Sequence, residues 1–182
     1  DGPEAAARVA PLLAGRAAVR LLNPVSEIGA DPLLRAEAAV AAARNAGLAA
    51  ARGRFTLFLD AGDGLVPDAL AVWLDSMLRY GPQDPAQPGG GPGADLGVAQ
   101  FRFGSASGAL HGGWHDLRGH EALAGATGLL PCDPALALRL HAQPAAKLFR
   151  TAFLRDAGLW FRPGPLSSWQ FLAQAMAAAE AA

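Results

Sequence analysis

Arg54-Phe55-Thr56-Leu57-Phe58-Leu59-Asp60-Ala61-Gly62-Asp63-Gly64-Leu65-Val66-Pro67-Asp68-Ala69-Leu70 is the stretch on which the fold turns. Its first six residues are nearly all apolar and include β-formers, which predicts a short strand ending at Asp60. A strand of near-continuous apolar character suits burial on both faces, as in a parallel sheet covered by helices. Two carboxylates, Asp60 and Asp63, then fall in a glycine-containing turn, and Pro67 leads into a helix. In an open α/β sheet, ligands bind beyond the carboxyl ends of the strands. Acidic groups placed there suit a divalent cation and the phosphates it carries. The same Asp-Ala-Gly-Asp-Gly also makes a good turn with no ligand at all, so both readings stand at this point.

Working outward, Asp31 is placed to cap a helix with Pro32 at its first position, running through Ala43-Arg44-Asn45-Ala46-Gly47-Leu48 towards Gly53. Gly47 interrupts that helix without ending it, at a cost of about 1 kcal/mol. Upstream, the pattern predicts a helix over 3–14, a strand over 17–22 and an Asn23-Pro24 turn. Downstream, Leu70, Trp73, Leu74, Met77 and Leu78 recur at helical spacing over 67–80, and Gly81 closes that helix. Residues 81–95 are rich in Pro and Gly and read as a solvated excursion. A strand is expected over 96–103, and a hairpin or active-site loop over 104–119. Further helices are expected near Glu121, over 144–156, and from Leu166 onward. No internal repeat is present.

Bulk properties narrow the classes. The chain has 182 residues, enough for a sizeable core. The apolar content of 52% against 17% charged residues is that of a folded globule rather than a disordered chain. A net charge of −1 gives no electrostatic case for nucleic acid or anionic lipid. Cys132 is alone, so no internal disulfide forms, which fits a reducing compartment. The Ala-rich stretch 36–51 contains Glu37 and Arg44 and is too polar to span a bilayer; neither a transmembrane segment nor a signal peptide is expected. The chain opens on Asp1-Gly2-Pro3 without an initiator Met, the look of a cut or processed fragment.

Three blocks together resemble the family 2 glycosyltransferases. The first is Ala43-Arg44-Asn45-Ala46-Gly47-Leu48 with Ala51 and Gly53. The second is Phe58-Leu59-Asp60-Ala61-Gly62-Asp63-Gly64-Leu65 with Pro67-Asp68-Ala69-Leu70. The third is Lys147-Leu148-Phe149-Arg150, followed by Phe153-Leu154, Gly158-Leu159-Trp160-Phe161 and Gly164. Their order and spacing are similar to the family's across most of the chain. The resemblance implies an α/β, Rossmann-like GT-A fold, with a mostly parallel sheet flanked by helices. It implies one domain over 1–182, with a nucleotide-sugar half (1–80), a Pro/Gly loop (81–95) and an acceptor-side half (96–182). Asp1-Gly2-Pro3 looks like the end of the family's second strand motif, which implies that the first strand unit lies before residue 1.

On function, the resemblance implies transfer of a sugar from a nucleotide-diphospho-sugar, such as a UDP-sugar, to a glycan or lipid-linked acceptor. A divalent metal, Mn or Mg, would sit at Asp63 and Asp60. Asp60, Arg44, Asn45 and Lys147 would bind the nucleotide sugar. The implied location is cytoplasmic, with a peripheral place at the inner membrane face as the alternative. Two positions depart from the family's pattern. Gly62 stands where the acidic motif commonly has another carboxylate. Ser167-Ser168-Trp169-Gln170 stands where the general base lies in a Glu-Asp pair, so Ser168 and Trp169 replace the catalytic acids. A catalytically inactive binding or scaffolding domain is therefore the competing expectation.

Bland alternatives remain beside each assignment. Arg44 and Asn45 also suit a polar helix face, and Lys147 an ordinary amphipathic helix. His111, His115 and His120 with Asp116 and Glu121 match no metal-ligand spacing. They read better as loop residues near an acceptor, beside Trp114 as a stacking surface or a loop anchor. Gly104-Ser105-Ala106-Ser107-Gly108 carries Ala where a hydrolase elbow needs its nucleophile, and Cys132 has no basic partner nearby in sequence.

Overall fold

The computed structural model describes residues 31–80, 93–99, 102–104, 110–112 and 139–179, together with Leu22 and Ala135. The expectations for residues 3–21 and 23–24, most of 81–95, Ser105 to Gly108, Trp114, His115, Asp116, His120, Glu121 and Cys132 lie outside the described residues. So does any strand unit upstream. Contacts divide the chain into two compact units, Asp1–Ala51 with Phe161–Ser167, and Arg52–Trp160 with Ser168–Ala182.

In the first unit, helix α1 spans Pro32–Ala50. It starts where the sequence places it. The Asp31 carboxylate accepts from the Leu33 N–H at 2.8 Å, and Pro32 fills the first turn, where no N–H is needed. A Cβ at Gly47 would meet nothing within 4 Å, so the helix runs through it without needing glycine. Ala38, Ala41 and Leu48 form its buried face.

The second unit is built on a three-stranded sheet in the order β1-β5-β2. Strand β1 is Phe55–Leu57, β2 is Leu96–Val98 and β5 is Lys147–Arg150. Both outer strands pair antiparallel with β5. Thr56 lies opposite Phe149 on one side, and Leu96 lies opposite the same residue on the other. The mostly parallel, Rossmann-like GT-A sheet expected from the resemblance is overturned by this pairing. An apolar run reports that a strand is covered on both faces. It carries no record of strand direction, which is fixed by which distant segment comes to pair.

The segment 144–156 is also different from the expected helix. It forms a 3-10 turn (Pro144–Ala146), strand β5, and a short helix α3 (Thr151–Asp156). Lys147, Leu148 and Phe149 are all buried, a pattern no one-sided helix face accommodates. The expected strand over 96–103 is likewise two pieces. Strand β3 (Arg102–Gly104) pairs antiparallel with β4 (Leu110–Gly112) in a separate two-stranded sheet, so this pairing begins two residues before the hairpin or loop expected over 104–119.

Helices cover both faces of the main sheet. Helix α2 (Ala69–Arg79) lays Trp73, Leu74 and Met77 against Phe55, Leu57 and Leu148. Gly97 lets α2 approach closely: a Cβ there would stand 3.1 Å from the Met77 sulfur and would need that side chain to shift. On the other face, helix α4 (Ser167–Ala178) packs Leu172 and Met176 with Leu140 over Leu96 and Val98. Phe58, Phe149 and Phe171 meet edge-on in a three-ring cluster, with centroids 5.6–6.1 Å apart. Polar ties close the sheet: the buried hydroxyls of Thr56 and Thr151 are 2.8 Å apart, and Arg150 pairs with Asp95. Among the described residues no helix is long and apolar enough to cross a membrane.

Candidate functional site

Asp60 and Asp63 sit just past the carboxyl end of β1, where the sequence places them. The anchor is Phe58, locked into the aromatic cluster two residues before Asp60. From Leu59 to Asp68 every residue is exposed. Within that arm the chain makes one tight, self-bonded turn. The Asp63 N–H donates to the Asp60 carbonyl at 3.0 Å, and the Asp60 N–H donates to Asp63 Oδ2 at 3.1 Å. Gly62 lies third in this turn with φ +97°, the left-handed backbone that a type II turn demands there. Gly62 is therefore the residue that shapes the turn. A Cβ at Gly62 would meet nothing within 4 Å, so the obstacle to substitution is torsional. Gly62→Ala is expected to lower stability by about 1 kcal/mol, read from the denaturant midpoint. An unchanged midpoint would show that the turn does not need its glycine.

The donor set suits a hard cation held only in part by protein. Asp63 keeps one carboxylate oxygen on the Asp60 amide, and its other oxygen makes none of the turn's bonds. Among the described residues, no group of three or more His, Cys, Asp or Glu gathers into a metal cage. Two exposed carboxylates match the habit of Mg, which takes one or two from protein and completes its shell with water and substrate phosphate. Asp68 follows at the start of α2 with φ 64°, a left-handed conformation that Asp tolerates better than most residues. Its side chain does not cap the helix, which begins at Ala69, two residues past the expected Pro67.

The other expected donor-binding residues are engaged elsewhere. Lys147 is 1% exposed. Its ammonium donates to the carbonyls of His141 and Gln143, at 2.7 and 2.8 Å. The His141 ring accepts from the Gln143 N–H at 3.2 Å, which tightens the same turn. Lys147 thus acts as an internal cation that organises the 141–143 backbone.

Arg44 and Asn45 lie in the first unit and both address Phe161. The Asn45 amide donates to the Phe161 carbonyl and accepts from its N–H, each at 2.8 Å. The Arg44 guanidinium lies 5.1 Å from the centre of the Phe161 ring. An Asn that satisfies both backbone groups of a remote residue mimics a strand partner. The sequence gives no sign of this, because the two residues are 116 positions apart.

Ser168 and Trp169 occupy the first turn of α4, half-buried. From Ala157 to Ala179 the chain contains no carboxylate, so this segment supplies no general base. Compared with known proteins, the chain matches no family model, no curated protein and no solved structure.

Proposed function

We propose that this chain is a glycosyltransferase domain that engages the diphosphate of a nucleotide sugar through a divalent ion at Asp60 and Asp63. The observation that carries this reading is the exposed, self-bonded Asp60–Asp63 turn at the carboxyl end of β1, held in place by Phe58. Asp60 and the second carboxylate oxygen of Asp63 would hold Mn or Mg. The ion would neutralise charge on the departing diphosphate as the sugar moves to a hydroxyl of a glycan or lipid-linked acceptor. The chain's own part is to fix two carboxylates in space at low entropic cost, through a turn that closes without ligand.

Calorimetric titration with UDP, with and without Mn, tests this directly. The expected result is binding that requires Mn and is abolished by Asp60→Ala. Equal affinity in the wild type and Asp60→Ala would overturn the assignment.

A second reading is favoured by the missing base in 157–179 and by the commitment of Lys147 to backbone carbonyls. It takes the chain as a binding module that holds the nucleotide sugar without transferring it. Binding with no sugar transfer supports this reading, and transfer by the unaltered chain excludes it.

A further inference from the structure

Phe161 to Ser167 leaves α3 behind and leads into α4 as Phe-Arg-Pro-Gly-Pro-Leu-Ser. It is buried at both ends and open between them. Phe161 is 0% exposed and Ser167 4%, whereas Leu166 between them is 66% exposed. Two features of this strap are costly, the Leu166 backbone and the Ser167 hydroxyl. Leu166 sits at φ 62°, a left-handed conformation that is uncommon for a bulky non-glycine residue. Gly164 is at φ 124°, a conformation that glycine adopts without strain. The hydroxyl oxygen of Ser167 is buried without a hydrogen-bond partner among the described residues. Pro163 and Pro165 lock their own φ angles, so backbone rotation in the strap concentrates at Gly164 and Leu166. Against these costs stands the double hydrogen bond from Asn45 to the backbone of Phe161, with Arg44 over the Phe161 ring.

We propose that residues 161–167 are a latched strap, a conformational device that opens locally, with the Asn45 clasp holding it shut against left-handed strain at Leu166. Opening turns the chain about Gly164 and Leu166, returns Leu166 to an ordinary φ, and frees the Phe161 backbone from Asn45. The closed population is set by the balance between clasp and strain, so changing the strain alone shifts the latch. This inference is independent of the proposed function.

The Phe161 amide reports the latch, because its N–H is bound to Asn45 only in the closed state. Leu166 lies five residues away and is exposed, so substitutions there alter torsion with little loss of packing. Hydrogen exchange on the full chain, read residue by residue by NMR, tests the device with Leu166→Asn and Leu166→Val. Asparagine tolerates left-handed backbone and should slow exchange of the Phe161 amide about threefold or more. Valine, branched at Cβ, should quicken it by a similar factor. The Ala41 and Phe149 amides should keep their wild-type rates in both variants. Equal Phe161 exchange in all three proteins would overturn the latch. So would shifts of the same size at Ala41 and Phe149, which would show that the segment opens only when the whole chain unfolds.

Discussion

Phe149→Ala is expected to cost about 3–5 kcal/mol, a large fraction of the roughly 5–15 kcal/mol that holds an ordinary domain folded. The residue is 0% exposed and sits at the middle of the central strand, opposite both Thr56 and Leu96. Its ring also closes the edge-on cluster with Phe58 and Phe171, which joins the sheet to α4. Truncation removes the apolar burial of a whole ring and leaves a cavity between elements that cannot collapse independently. The effect reaches the candidate site through Phe58, which fixes the start of the Asp60 turn. Urea unfolding followed by far-UV circular dichroism provides the check. A variant that keeps its midpoint within the error of the wild type would show that the aromatic cluster is not the centre of the core.

Lys147→Met is the second large effect, and it separates two roles for the same side chain. Methionine keeps most of the stem volume and removes the ammonium. The carbonyls of His141 and Gln143 then lose a charged donor, and an orphaned part-buried acceptor costs about 1–3 kcal/mol. Relief from burying a charge offsets part of that cost. The expected net loss is about 2 kcal/mol, because hydrogen bonds to charged groups are each worth about 1.5–3 kcal/mol. If Lys147 instead serves the diphosphate, Lys147→Met should keep the unfolding midpoint and weaken UDP binding. A midpoint drop with unchanged affinity per folded molecule assigns Lys147 to the backbone turn. The reverse outcome assigns it to the ligand.

The Asp60–Asp63 turn was readable because its causes are local. Asp, Gly and Asp within four residues specify a turn, and the preceding apolar run specifies a strand that delivers it. The start of α1 was legible for the same reason, since Asp31 and Pro32 act on the first turn of their own helix. Strand β5 leaves no local signature because its burial comes from two partner strands and two covering helices, none adjacent to it in sequence. Lys147 shows the difficulty at one residue. A lysine in an apolar run suits a helix edge or a phosphate site, and only the arrival of two backbone carbonyls from the 141–143 turn makes its burial possible.

By itself the sequence determined the local pieces: a folded globular composition, a capped first helix, an apolar strand and the acidic turn beyond it, and an amphipathic helix after that. Each follows from torsional preference or hydrogen bonding within a few residues. The tertiary structure alone decided that the sheet is antiparallel around β5, that Lys147 is an internal cation, and that Arg44 and Asn45 hold Phe161. The sheet pairing and the Asn45 contact join segments tens of residues apart, and the Lys147 contacts, though only four and six residues away, depend on the sheet burying β5. Close packing and hydrogen-bond satisfaction select such pairings from many that the same local patterns allow.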